Sequence, residues 1–433
     1  MSNLFDFDGV TVDQDLLERT NPIFNTAKMT LFQLAAAGYE DAQAVADSLN
    51  LTREETQDSK SVKLDESYLL SNSIIMEVRY FTNGKLAKES GFTEVDLPCG
   101  YTPRAIEFAK CGKKFVGLDL PATINEVEPA IMSLLDDEQK KLVGFEGVDA
   151  TNYQSLKKAF DKIDGKVCIT TEGLIMYLNQ SEMDAMCDNI KSLLAEHGGC
   201  WITLDPEISF LYIAILKAFF GDKTREMMYK NKDLVEDKSD VKIATNKMLV
   251  SAIGDIEENM KNAIKYVKSK GFKLERLPFS EHVPELKSFE KADPEVVAKI
   301  KESFKRVCIW KMSLDESASV DSPDSETGEF EAKAVVDGSK LKLTLSGSLD
   351  TLSAPKLLAN YENIKENNKL ETVDIDCVNL NYVSSAGLRV LLIMENDCEG
   401  GVTMKSCNES VVSILEQTGF DAILSLEDQE GDL

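Results

Sequence analysis

Five short apolar runs, each followed by a stretch with helical spacing, constrain this chain more than any other feature: Thr93–Leu97, Lys114–Leu118, Leu142–Val148, Lys166–Thr170 and Cys200–Leu204. Runs of this length, interleaved with helices, read as buried strands of a parallel sheet joined by right-handed crossovers. The pattern implies a doubly wound α/β core. Residues 1 to about 80 carry helical spacing instead, as in Asn21–Ala37 and Asp41–Leu51, with Thr52 and Asp58 among the interruptions. After the runs, residues 207–270 read as helical: Ile208–Phe220 is apolar nearly all round and Asp255–Lys268 is amphipathic. Phe272–Leu277 and Arg306–Met312 then return as late strands, and an antiparallel end to the sheet is expected.

The segment Ser313–Gly328 (SLDESASVDSPDSETG) interrupts this order with Ser, Asp and Glu and has almost nothing to bury. Such a composition cannot offset its own ordering entropy, so it reads as a flexible acidic linker. It separates a first domain, residues 1–312, from a second, residues 329–433. Two domains also suit a chain of 433 residues, longer than one core usually supports. In the second, Glu331–Val336 and Leu341–Ser346 are strand-like around the turn Asp337-Gly338, a strong hairpin signal. Glu371–Ile375 reads as a strand, and Ala386–Met394 and Ser410–Gln417 as helices.

Charge and composition narrow the function. With 48 Lys and Arg against 75 Asp and Glu, the net charge of -27 repels phosphate backbones and anionic membranes. No nucleic-acid partner is expected. The start, MSNLFDFDGV, has neither the basic flank nor the apolar run of a secretory signal, and Ile208–Phe220 is too short to span a bilayer. No membrane insertion and a cytoplasmic location follow as expectations. Nine scattered cysteines and two histidines, His197 and His282, suggest no metal site and no disulfide framework.

In a doubly wound sheet, ligands sit outside the carboxyl ends of strands near the switch in strand order. The loop after the first run reads DLPCGYTPR, Asp96 to Arg104. Gly100 lets backbone approach a ligand, Thr102 can cap the next helix, and Pro103 suits its first turn. The loop is expected to aim free amides at the ligand. Asp119 ends the second strand, where a carboxylate can accept both hydroxyls of a ribose, and Asp149 follows the third, placed for an adenine amino group.

These residues also carry a resemblance. DLPCGYTPRA, FVGLDLP with Asp119, GVDAT with Asp149 and TEGLIMYL from Thr171 to Leu178 resemble the successive motifs of the leucine carboxyl methyltransferase family and its bacterial O-methyltransferase relatives, over roughly residues 15–312. The resemblance implies a Rossmann-like methyltransferase sheet with helical amino-terminal and lid regions. It implies S-adenosyl-L-methionine as cofactor, contacted by Gly100, Asp119, Asp149 and Glu172, with Arg79 pairing with the methionine carboxylate. Pro98 departs from the family, which commonly has a small residue there; proline removes an amide donor. Tyr177 is a candidate for the acceptor pocket, which the amino-terminal helices and residues 207–260 should roof. The acceptor is expected to be a small-molecule or protein carboxylate or hydroxyl. A carboxylate needs no general base, which agrees with the scarcity of histidine.

Beyond the linker, GSLDTLSAP from Gly347 to Pro355, VNLNYVSSAGLRVL from Val378 to Leu391 and EQTGFDAIL from Glu416 to Leu424 resemble STAS domains of anti-sigma-factor antagonists. The resemblance implies a small α/β domain, an anti-sigma factor or serine kinase as partner, and regulatory phosphorylation at Ser385, with Ser384 as the alternate. A phosphate there would meet unpaired amides at a helix start. Asp350 would lie on the adjoining loop and shape the partner surface. Two functions stay open: an O-methyltransferase with a regulatory or recruiting STAS domain, and a non-catalytic signalling protein acting as an anti-sigma factor antagonist.

Overall fold

The structure, a computed structural model, describes residues 4, 5, 7, 10, 12, 14–21, 27–51, 66–224, 246–252, 254–315 and 330–427. All five early runs form strands: β1 (Thr93–Asp96), β2 (Phe115–Asp119), β3 (Val143–Gly147), β4 (Val167–Thr171) and β5 (Gly199–Thr203). They lie parallel in the order β3-β2-β1-β4-β5, and β7 (Cys308–Leu314) and β6 (Phe272–Pro278) complete a seven-stranded sheet. Both pairings of β7 are antiparallel. This is the Rossmann-like α/β sheet the sequence implies, antiparallel end included. β1 and β4 are buried along their whole length, as strands covered by helices on both faces must be. The chain steps outward from β1 to β3 and returns to β4 on the other side, so strand order switches between β1 and β4. In doubly wound sheets a switch of this kind is where ligands gather, in a crevice outside the carboxyl ends of the strands.

The Glu66–Ser90 helix borders that switch, and its buried residues include Ser71, Glu77, Arg79 and Asn83 besides Ile74 and Val78. Polar burial on every side hides its apolar stripe from a hydropathy reading. It packs against the Ile208–Phe220 helix, which also meets the Pro294–Ser303 helix and so explains its nearly continuous apolar sequence. Buried Glu207 accepts from Trp310 Nε1 (2.7 Å), Cys308 N (3.0 Å) and Arg276 Nε (2.7 Å), tying the antiparallel strands to the start of that helix. Thr52 and Asp58, and residues 225–245 of the expected helical stretch, lie outside the described residues. Ser313 and Leu314, read as the start of the linker, pair with Lys273 and Phe272 and belong to β7; residues 316–329 lie outside the described residues.

A second sheet of five strands runs β12-β11-β10-β9-β8, from β8 (Glu331–Asp337), β9 (Lys340–Leu349), β10 (Thr372–Val383), β11 (Val402–Lys405) and β12 (Ser425–Glu427). Only β8 against β9 is antiparallel. The hairpin turn falls one residue later than the dipeptide signal, at Gly338-Ser339 with Asp337 opposite Lys340, and Gly338 takes the positive φ of +65° that the turn demands. Helices Ala354–Asn367, Ser385–Asp397 and Glu409–Thr418 accompany this sheet. β11 has four residues, too few for its alternation to be read from sequence.

The chain divides into two compact units, Ile23–Asp321 and Met1–Pro22 with Ser322–Leu433. The amino-terminal residues, read from sequence with the first domain, thus group with the second. Phe5 and Leu16 join the apolar core around β8, β9 and β10. Isolated apolar residues have no period, so nothing local reveals which core they enter.

Candidate functional site

The candidate site is built from strand ends. Beyond β1 the chain turns through a cis Leu97–Pro98 peptide, and Cys99 N donates to Leu118 O (2.9 Å), stitching the loop to β2. Gly100, at φ +53°, donates its amide to Asp119 Oδ2 (2.8 Å), while Leu120 N bonds Oδ1 (2.7 Å). The expected free amides are therefore not all free: Gly100 spends its own on holding Asp119. Thr102 does not cap a helix; its hydroxyl turns back to Cys99 O (3.1 Å), and the Arg104–Lys110 helix has Pro103 at its N-cap without a side-chain cap. Asp119 is 8% exposed, and burial pushes its carboxyl up to about 6 despite the lowering effect of those amides. With the Thr123 hydroxyl bonding it as well, the carboxylate keeps room for about one further donor.

After β3, one oxygen of Asp149 accepts from the Thr151 amide (2.8 Å) and hydroxyl (2.7 Å), so this side chain shapes its own turn. Val148 N donates to Asp119 O (2.7 Å), placing the two acidic strand ends side by side.

Beside these strand ends lies a buried charge cluster. Arg104, 1% exposed, gives Nη1 to both oxygens of Asp96 at 3.0 Å and Nη2 to Glu172 Oε2 (3.0 Å) and Tyr80 O (3.1 Å). Its guanidinium lies 4.6 Å from the centre of the Tyr80 ring. Asn83 Nδ2 adds a bond to Glu172 (3.2 Å), and Glu94 stands 3.8 Å from Nη1. Burial raises the Asp96 carboxyl against the pull of Arg104, and raises Glu94 well above the usual carboxylate range. One guanidinium here serves three carboxylates, and desolvation outweighs its attraction for two of them.

Arg79, 6% exposed, faces the same cluster. Glu172 Oε1 is 3.7 Å from its Nε and Asp205 Oδ1 is 3.9 Å from Nη2, both beyond a normal hydrogen bond, and its Nε has no hydrogen-bond partner. Asp205 is fully buried and accepts the amides of Gly173 (2.9 Å), Leu174 (3.0 Å) and Ile175 (3.1 Å), so it shapes the turn after β4. Gly173 sits at φ +72°, and a Cβ there would come within 3.0 Å of Arg79 Nη2. Tyr177 ends the short Ile175–Tyr177 turn, which Asn246 Nδ2 holds through Ile175 O (2.8 Å) and Leu178 O (2.9 Å). Tyr177 and Tyr212 both act electrostatically on Arg79.

Gly100 and Asp119 thus meet directly, Arg79 and Glu172 are neighbours, and Asp149 adjoins Asp119 through the backbone of Val148. Sequence reasoning missed Arg104, Asp205 and Asn83. Asp205 carried a usable signal: like Asp119 and Asp149, it follows a strand end. Neither histidine joins the cluster; the His197 ring packs on Phe160 at 5.6 Å. Among the described residues no group of side chains is arranged to hold a metal, and no helix is long and apolar enough to cross a membrane.

In the second unit, Ser384 is 1% exposed and caps the Ser385–Asp397 helix, its Oγ accepting from Gly387 N (3.2 Å). Ser385, the first helical residue, is exposed. A Cβ on Gly387 would lie 2.7 Å from Leu349, so glycine lets the helix start press against β9. Asp350 is turned inward: it accepts from Leu352 N (3.0 Å) and Ser353 N (2.9 Å) and closes the turn after β9, where it had been expected to shape a partner surface.

Residues 331–433 match the family model of the STAS domain. No curated protein matches the chain. Among solved structures, the anti-sigma factor antagonist SpoIIAA in its unphosphorylated form is 16% identical, covering 24% of this chain and 90% of its own, at a TM-score of 0.21. The glycopeptide N-methyltransferase MtfA complexed with sinefungin is 11% identical, covering 64% and 98%, at 0.31. The geranyl diphosphate C-methyltransferase from Streptomyces coelicolor A3(2) is 10% identical, covering 64% and 97%, at 0.31. At such TM-scores the fold rests on the strand order and register described above.

Proposed function

We propose that the seven-stranded unit is an S-adenosyl-L-methionine-dependent O-methyltransferase, and that the STAS-matching unit binds an anti-sigma factor or serine kinase under control of Ser385. The observation that carries the first reading is Arg79, a buried guanidinium whose Nε lacks a partner and whose acidic neighbours stand at 3.7 and 3.9 Å. Its Nη1 otherwise meets Met76 Sδ at 3.9 Å and Tyr212 also hydrogen-bonds the guanidinium; a buried cation without a close carboxylate suits an incoming one, as the methionine end of the cofactor provides. The remaining residues fit the rest of that molecule: Asp119 for the ribose hydroxyls, Gly100 at close backbone approach, Glu172 beside Arg79, and Asp149 toward the adenine side. When bound, the cofactor supplies an electrophilic methyl on a sulfonium.

The chain's own part is to bind, orient and exclude water, which is where most of the acceleration in such transfers arises. A carboxylate acceptor, as in the leucine carboxyl methyltransferase resemblance, requires no base, and the cluster contains no histidine. Tyr177 and Tyr212, which act electrostatically on Arg79, are the acceptor-side residues of this reading. Calorimetry with S-adenosylhomocysteine and sinefungin tests the reading: saturable binding is expected, weakened at least about tenfold by Arg79→Ala, the loss of one charge-assisted contact. Absence of binding to the intact chain at millimolar ligand would overturn it. For the second unit, exposure of Ser385 and burial of Ser384 favour Ser385 as the residue a kinase can reach.

A further inference from the structure

We infer that the amino-terminal segment is a built-in ligand of the STAS-matching unit, covering a docking face for an amphipathic helix with a leucine and an arginine three positions apart. Leu4 N donates to Ala334 O (3.3 Å) on β8, the last strand of its sheet, so the segment begins by engaging an open edge. Phe5 is buried, its ring 5.6 Å from Phe7, which in turn meets Phe330 edge-on at 5.7 Å. The Gln14–Thr20 helix then packs against both the Ala354–Asn367 and the Ser385–Asp397 helices. Leu16 enters the core cluster, and Arg19 pairs with Glu362.

A helix of seven residues has no stability of its own in water, so this one is ordered by the surface it lies on. Among the described residues its anchors are buried Phe5 and Leu16, with Phe7 and Val12 packed on the same core, the Arg19–Glu362 pair and the edge hydrogen bond. The face beneath belongs to the helix that begins at exposed Ser385. From Ile23 the chain passes into the other compact unit and returns only at Ser322. The segment is therefore covalently tethered, through the other compact unit, to the face it covers. A protein partner offering the same helix pattern would compete with it, and the tether gives the built-in copy the advantage of high local concentration. This inference is independent of whether the other unit binds a cofactor.

The test uses the full chain, a variant lacking residues 1–21, and a fluorescent peptide of residues 1–22. The intact chain is expected to leave the peptide unbound. The shortened chain should bind it saturably, and its amides in Ala354–Asn367 and Ser385–Asp397 should exchange about tenfold faster until the peptide is added. If those amides exchange alike in both chains, or the folded shortened chain ignores the peptide, the inference is overturned. Loss of protection in β9 and β10 on shortening also overturns it, since the segment would then be part of the fold. As a second route, Glu362→Arg in the full chain should expose the same two helices, and Arg19→Glu added to it should restore their protection.

Discussion

Asp119 shows how one residue can work against the fold and for the site. Burial lifts its carboxyl from 3.8 to about 6, so its folded-state proton affinity exceeds that of the unfolded chain. By linkage, its contribution to stability is full below about 3.8 and is lost as pH rises through about 6. Ribose hydroxyls, by contrast, donate to the charged form. Cofactor-analogue affinity should therefore fall as pH drops through about 6, while the unliganded fold gains from the same proton. Calorimetric titrations of S-adenosylhomocysteine between pH 5 and pH 8 check the sign; Asp119→Asn should bind weakly with little pH dependence. An affinity that rose on acidification would exclude Asp119 as the ribose acceptor. Residue legibility was uneven for a physical reason. Asp119 and Asp149 announce themselves by following apolar runs, whereas Arg104 sits in a quoted motif without any sign of its role. Its partners Asp96, Glu172 and Tyr80 come from β1, the loop after β4 and the Glu66–Ser90 helix, and only the folded sheet assembles them.

Among the elements, the Ser385–Asp397 helix separates two neighbouring serines into different jobs. Ser384 is the buried cap, and Ser385 is an exposed first-turn residue. Ser384→Ala should cost about 1 kcal/mol in denaturant unfolding of this unit, the usual loss of an N-cap. Ser385→Ala should cost little, and Ser385→Asp should be neutral or stabilising by about 0.3–1 kcal/mol, because a negative charge at a helix start meets its positive end. Equal losses for the two alanine variants would mean that the division of roles is wrong. The strands of the first unit were legible because each is a short apolar run between helical stretches. Of β10 only the first part was legible, as Glu371–Ile375: the strand runs twelve residues and continues through the VNLNYV stretch with two register shifts, where alternation is broken. The Ala354–Asn367 helix was silent, since its buried positions include Asn360 and Tyr361 and blur the stripe.

At the scale of the whole molecule, two sheets with separate cores predict separate unfolding. Calorimetry of the intact chain should show two transitions, and saturating S-adenosylhomocysteine should raise only the one belonging to Ile23–Asp321. At a hundred times its dissociation constant, the ligand should add about 2.7 kcal/mol to that unit. A single transition, or an equal shift of both, would show that the units unfold together. The sequence by itself determined the α/β class, the strand ends at which ligands can gather, and the point where one pattern stops and another begins, because these follow from local period and composition. Only the tertiary structure decided that Phe5 and Leu16 serve the second core, that Arg104 rather than Arg79 is the tightly held cation, and that Asp205 shapes the turn after β4. Those outcomes depend on which strands lie side by side. Burial then makes each buried charge depend on partners far away in sequence, which no local pattern records.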